Sequence, residues 1–178
     1  MQELFFRIDA MDEIRNRVAE NTNLITINLE DYYQDGARIQ LDISQWLDHG
    51  IILREKEFRA SLDVHNWEQY TNSYVTIHCS TDAIVPAWAY MLCATKITPF
   101  CKKVVIGTLE ALETSLYDAE LAKLDLSEYE NKFVIIKGCA HKPVPQNAYV
   151  TMASKLIGVA KSVMYGEACS SVPLYKKK

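Results

Sequence analysis

The 178 residues hold no CxxC pair, no glycine-rich phosphate loop, no nucleophile elbow and no two histidines one helical turn apart. A compact zinc site, a nucleotide cradle, a serine-hydrolase centre and a histidine-pair metalloprotease each need one of those patterns. All four readings are poor, and no nucleotide cofactor is expected. Excess basic charge is missing as well. Lys and Arg number 19 against 23 Asp and Glu, a net charge of −4. Proteins that track nucleic acid or an anionic membrane carry a basic footprint, so neither is an expected partner. Long apolar runs are absent. The uncharged stretch from Ala83 to Thr95 is too short for a hydrocarbon core of roughly 30 Å, and nothing resembles a signal peptide.

Cysteine is sparse and scattered: Cys79, Cys93, Cys101, Cys139 and Cys169. An odd count at wide spacing does not make a secreted disulfide framework, so a cytoplasmic location with reduced thiols is expected.

What is present is a core-forming composition, 49% apolar, in a length that suits one domain. Residues 1–10 precede a second methionine, Met11, and are expected to be an extension. Residues 11–178 are expected to form a single α/β domain. Its first lobe, 11–69, opens with two alternating segments, Leu24 to Leu29 and Arg38 to Ile43, around the turn signal Asp35-Gly36. Period-two alternation predicts strands, and the turn predicts an antiparallel pair. "SQWLDHG" predicts a short helical turn ended by Gly50, and "ILREKEFRASLD" a segment that enters as strand and leaves as helix.

From residue 70 onward strands and helices alternate. Strands are expected at 74–79, 103–107 and 133–138, and helices at 84–97, 108–123 and 146–158. That order implies a parallel sheet with right-handed crossovers.

Residues 70–107 lie over 129–166 without a gap, at an offset of 59, with 13 identities in 38 positions. Apolar matches such as Val75/Val134 arise in any two strand–helix–strand units. Matches at Asn72/Asn131, Pro86/Pro145, Tyr90/Tyr149, Lys96/Lys155 and Gly107/Gly166 do not, and they predict a duplication. The repeat also turns "KSVMYG" from a helix end into a fourth strand, Ser162 to Tyr165, because its counterpart "KKVVIG" reads as strand. The fold expected is therefore α/β, a mainly parallel sheet from two duplicated βαβ units with an N-terminal antiparallel β element. The repeats span 70–107 and 129–166, the linking helix 108–128 and a tail 167–178.

In an open parallel sheet, ligands sit beyond the carboxyl ends of the strands. Cys79 and Cys139 end the first and third strands of the pattern, and Cys169 follows the fourth. Ser80, Thr81 and Asp82 are candidate caps of the next helix, and a helix N-terminus favours a thiolate. Three thiolates on one rim call for a soft or borderline cation, zinc or iron. A fourth ligand would come from His141, Asp82, His78 or water. Alternatively Cys139 is a nucleophile with His141 as its base. Against both stands the plain reading of cysteine as a small buried hydrophobe, which suits Cys93 and Cys101. His49, His65 and His78 read as structural or exposed. Trp88, Tyr90 and Met91 read as core, and Glu110 and Glu113 as carboxylates favoured by a helix N-terminus.

The phrases "CSTDAIVPAWAYML", "VVIGTLEALETSLY", "VIIKGCAHKPVPQNAY" and "YGEACSSVPLYKKK", with "NLEDYY", "WLDHGIILREKEFRA" and "LDLSEYENKFV", resemble the bacterial domain-of-unknown-function family 2480. The resemblance runs from about Met11 to the C-terminus. It implies no activity and carries over no catalytic residue. Three functions remain open. The first is a metal-binding protein with Cys79, Cys139 and Cys169 as ligands, to which the resemblance adds a role accessory to iron–sulfur or metal metabolism. The second is a thiol enzyme built on Cys139 and His141. The third is a non-catalytic interaction module whose tail, "SSVPLYKKK", docks a protein partner. Homo-oligomerisation is compatible with each.

Overall fold

The computed structural model describes residues 23–138, 141–167 and 169–178. In chain order these form β1 (Leu24–Asn28), β2 (Arg38–Asp42), α1 (Glu55–Val64), β3 (Tyr74–His78), α2 (Ala87–Ile97) and β4 (Lys103–Ile106). Then come α3 (Leu109–Ala122), β5 (Phe133–Lys137), α4 (Gln146–Leu156), β6 (Ser162–Glu167) and β7 (Ser170–Lys176). The strands divide between two sheets. One runs β2-β3-β4, all parallel; the other runs β1-β5-β6-β7, parallel except for β7.

The central strands are apolar runs because both of their faces are covered. Tyr74, Val75, Thr76 and Ile77 of β3 are all buried, as are Val134, Ile135 and Ile136 of β5. Phe58 and Leu62 of α1 and Ala89, Cys93 and Ile97 of α2 pack on the first sheet, while Ala148, Met152 and Leu156 of α4 pack on the second. Helix α3 serves both. Thr108 caps it by accepting from the Ala111 N–H at 3.2 Å. Its Leu112 and Leu116 lie against Tyr74 and Val105 of the first sheet, and its Tyr117 and Leu121 enter the core of the second.

The antiparallel N-terminal pair does not form. β1 joins β5 and β2 joins β3, each in parallel. Both strands end in the same way: the Asn28 side chain accepts from the Glu30 N–H and the Asp42 side chain from the Ser44 N–H, each opening a 3₁₀ turn. The chain between them is a crossover anchored by the fully buried Leu29, and Asp35-Gly36 bends it without making a hairpin. The single sheet also gives way to two. Each parallel pair in the repeat region takes its third strand from the N-terminal lobe, so β4 and β5 never become neighbours. The tail is not free: β7 pairs antiparallel with β6. Pro173 lies beside the register shift of that pairing, on an edge strand where a missing N–H is tolerated.

The two strand–helix–strand units share their local geometry. Asn72 and Asn131 both take positive φ, 60° and 56°. Pro86 and Pro145 both open their helices at φ near −65° and −67°. Gly107, just past β4, and Gly166, next to last in β6, take φ 122° and 119°, which a Cβ disfavours. No helix among the described residues is long and apolar enough to cross a membrane.

Candidate functional site

The described thiols of the expected rim, Cys79 and Cys169, belong to different sheets. Cys79 follows β3 of the first sheet and is partly buried, its Sγ 3.4 Å from the Thr81 hydroxyl. It does not stand at a helix N-terminus. Val85-Pro86 holds the chain extended, since the residue before a proline avoids the helical region, and α2 begins only at Ala87. The expected caps work elsewhere. Ser80 donates through its N–H and its hydroxyl to Asp42, and Thr81 donates to the Gly50 carbonyl. Burial opposes the Asp42 charge, but hydrogen bonds from Ser80 and Ser44 outweigh it and hold that carboxyl well below the usual range. Asp82 is exposed.

Cys169 is exposed in the turn between β6 and β7 of the second sheet. His141 is exposed, and its N–H donates to Glu30 at 3.0 Å. Cys139 lies outside the described residues. Among the described residues no three His, Cys, Asp or Glu side chains converge as a metal site. Cys93 is fully buried, and burial pushes its thiol up to about 12. His65 is held between the Tyr70 hydroxyl and the Gln69 amide at 2.9 and 3.1 Å.

A second cluster lies where the halves meet. Arg38 of β2 grips Glu113 of α3 through two hydrogen bonds of 2.7 and 3.2 Å, with side chains only 12% and 10% exposed. The Arg38 guanidinium lies 4.2 Å from the centre of the Tyr33 ring, and the Lys142 amine 4.6 Å from the same ring while bonding Asp35 at 2.9 Å. Beside this cluster lies a cleft of about 560 Å³ that also meets Pro143 and Pro145 ahead of α4. Sequence reading gave Glu113 to the helix dipole alone. The missed signal was its place next to Leu112 on the buried stripe of α3, where a lone carboxylate requires a partner. Arg38 with Glu113 and Lys142 with Asp35 are already paired, so these residues clamp the halves together more than they invite a charged ligand.

The third feature is a pair of matched grooves. Between α2 and the outer edge of β4, Ile77, Ala87, Tyr90, Met91, Ala94 and Ile106 line an apolar groove of about 480 Å³. Between α4 and β6, Ile136, Gln146, Tyr149, Val150, Ala153 and Tyr165 line another of about 370 Å³. These six positions correspond one to one at the offset of 59, and Val85, Val104 and Val105 line the first groove as well. The second groove has one further wall, Leu174 of β7. The first has no such strand: among the described residues β4 pairs with β3 alone. Met91 is accordingly 66% exposed and Ile106 59%, so Met91 is not the core residue its apolar helix implied.

Comparison with known proteins adds one finding. A family model described as a protein of unknown function (DUF2480) matches residues 12–177. No curated protein and no solved structure gives a significant match.

Proposed function

The chain belongs to the DUF2480 family of proteins of unknown function, and from that premise we propose that it is an interaction module that accepts an extended strand along the open edge of β4. One observation carries the reading. Six lining positions of the two grooves correspond, and one groove is walled by a strand while the other, among the described residues, is not. Read as copies of one duplicated unit, the halves differ in what lies on the outer edge, and β7 displays the occupant the fold accepts. Strand addition takes its affinity from main-chain hydrogen bonds and its selectivity from pockets for alternate side chains. Both are available at β4. The cytoplasm remains the compartment we assign to it.

The test is a titration of isotopically labelled chain with a peptide spanning residues 170–178, in large excess so that it displaces any other occupant. The reading predicts saturable shifts at the backbone amides of Val104 and Ile106. Shifts confined to β6, or none, contradict it.

A second reading keeps zinc, iron or thiol chemistry at the rim of the second sheet. It is favoured by the pairing of β5 with β6, which sets Ile136 beside Tyr165 and so aligns the ends of two strands that Cys139 and Cys169 follow in sequence. His141 is the nearby base or ligand, while Cys79 and Asp82 belong to the first sheet. Elemental analysis of the purified chain and of a Cys139→Ser variant tests it. Stoichiometric metal lost in the variant supports the metal form. Faster alkylation of Cys139 than of Cys169 near neutral pH supports the thiol form, and the absence of both results overturns the reading.

A further inference from the structure

Resting on the strand-acceptor reading, we propose that the occupant of the β4 edge is a second copy of this chain. Its own β4 lies antiparallel across a two-fold axis, so that two three-stranded sheets become one continuous sheet.

The hydrogen bonding of β4 sets the geometry. The Gly107 N–H donates to the Ile77 carbonyl, on the β3 side. Peptide groups alternate along a strand, so Val105 also faces β3 while Val104 and Ile106 turn their N–H and C=O outward. The same positions in the other half, Val163 and Tyr165, face β7, opposite Tyr175 and Val172. That strand is antiparallel, as a strand related by a two-fold axis must be.

Self-pairing has to bring outward groups against outward groups. The register that pairs most of the strand sets Val104 against Ile106 of the second copy and Val105 against its own mate. Lys103 then faces Gly107. Slippage by one step toward the start sets Val104 against itself and brings Lys102 opposite Ile106, and a second step opposes Lys103 to itself, which like charge disfavours.

Among the described residues the edge also lacks the usual guards. Natural edges are blunted by charge, proline or a bulge. Here the two lysines at the start of β4 are drawn away. The Lys103 amine donates to the Ser115 carbonyl of α3 at 2.7 Å, and the Lys102 amine lies over the Tyr74 ring. What is left along the edge is Val-Val-Ile.

The groove completes the fit. Val104 and Ile106 share one face of the strand, since side chains alternate. Ile106 of the second copy comes to lie beside Val104, where the other half has Leu174 and Tyr175 beside Val163. Two-fold pairing of one edge with itself is closed, and two-fold dimers are the commonest homo-oligomers.

Sedimentation equilibrium of the full chain over a wide concentration range tests the proposal, with Ile106→Lys, Met91→Lys and Val172→Lys variants beside it. All three positions are exposed, at 59%, 66% and 59%, and unchanged melting temperatures confirm folding. The expected result is a reversible dimer, weakened roughly tenfold or more by Ile106→Lys and by Met91→Lys and untouched by Val172→Lys. A chain monomeric throughout overturns the proposal, and so does a dimer indifferent to Ile106→Lys and Met91→Lys. A dimer broken only by Val172→Lys belongs to β7 and overturns it too. If the chain is monomeric but Val104 and Ile106 still respond to the residue 170–178 peptide, only the second copy is refuted. If they do not respond, the strand-acceptor reading fails with it.

Discussion

Ile106 and Tyr165 hold the same place in the two halves, yet Tyr165 has Val172 of β7 opposite it, whereas among the described residues Ile106 has no strand on that side. The two strand–helix–strand units thus diverge at their outer edges, one paired and the other, among the described residues, open.

The closing glycines differ for the same reason. At Gly107 a Cβ would come 3.3 Å from the Ala111 Cβ; at Gly166 it would come 2.6 Å from the Ser170 carbonyl oxygen, inside the β6–β7 turn. Both substitutions to Ala force a side chain into a φ that L residues avoid, a cost of about 1–2 kcal/mol. Gly166→Ala adds a backbone clash. Urea denaturation is expected to show Gly166→Ala as clearly the more destabilising, with the exchange protection of β7 amides lost first.

The Arg38–Glu113 pair is nearly dry, so removing one partner strands the other. Glu113→Leu alone, or Arg38→Met alone, is expected to destabilise the fold by about 3–5 kcal/mol, whereas the two together recover most of that loss. Urea midpoints of the two single variants and the double variant check this. Additive losses in the double variant would show that the pair does not act as a unit.

Alkaline pH acts through buried weak acids. Burial raises the Cys93 thiol from 9.0 to about 12. Burial, with the Glu113, Glu30 and Tyr33 charges around it, raises the Tyr117 phenol from 10.0 to about 12. A group whose folded pKa is raised contributes stability in full below its unfolded pKa and loses it as pH rises through the folded one. Stability is therefore expected to hold up to about pH 9 and to fall between there and pH 12. The decline should be shallower in Cys93→Ala. In the native state Cys169 is expected to react with an alkylating reagent well before Cys93, as mass spectrometry of the labelled peptides will show.

Much of the repeat region was legible in the sequence because its signals are local. Short, continuously buried runs mark β3 and β5. The paired Asn72 and Asn131 sit in turns that need positive φ, and the shared KxV…G pattern turned residues 162–165 into strand. Sheet membership was not legible. Alternation says that Leu24–Asn28 and Arg38–Asp42 are strands, but which neighbour each joins depends on where Leu29 is buried. β7 was hidden by Pro173 and the lysines that follow, which read as a tail until β6 supplies its partner. The groove was hidden for a different reason. Met91 and Ile106 carry the same apolar signal as core residues, and only the presence or absence of a covering strand separates the two.

Backbone amide hydrogen exchange at Val104 and Ile106 tests strand acceptance most directly, with Val163 and Tyr165 as the internal reference already paired to β7. The account predicts that the first pair gains protection as chain concentration rises, or as the residue 170–178 peptide is added in excess, until it approaches the reference. Fast exchange at Val104 and Ile106 under every such condition, while Val163 and Tyr165 stay protected, would contradict it.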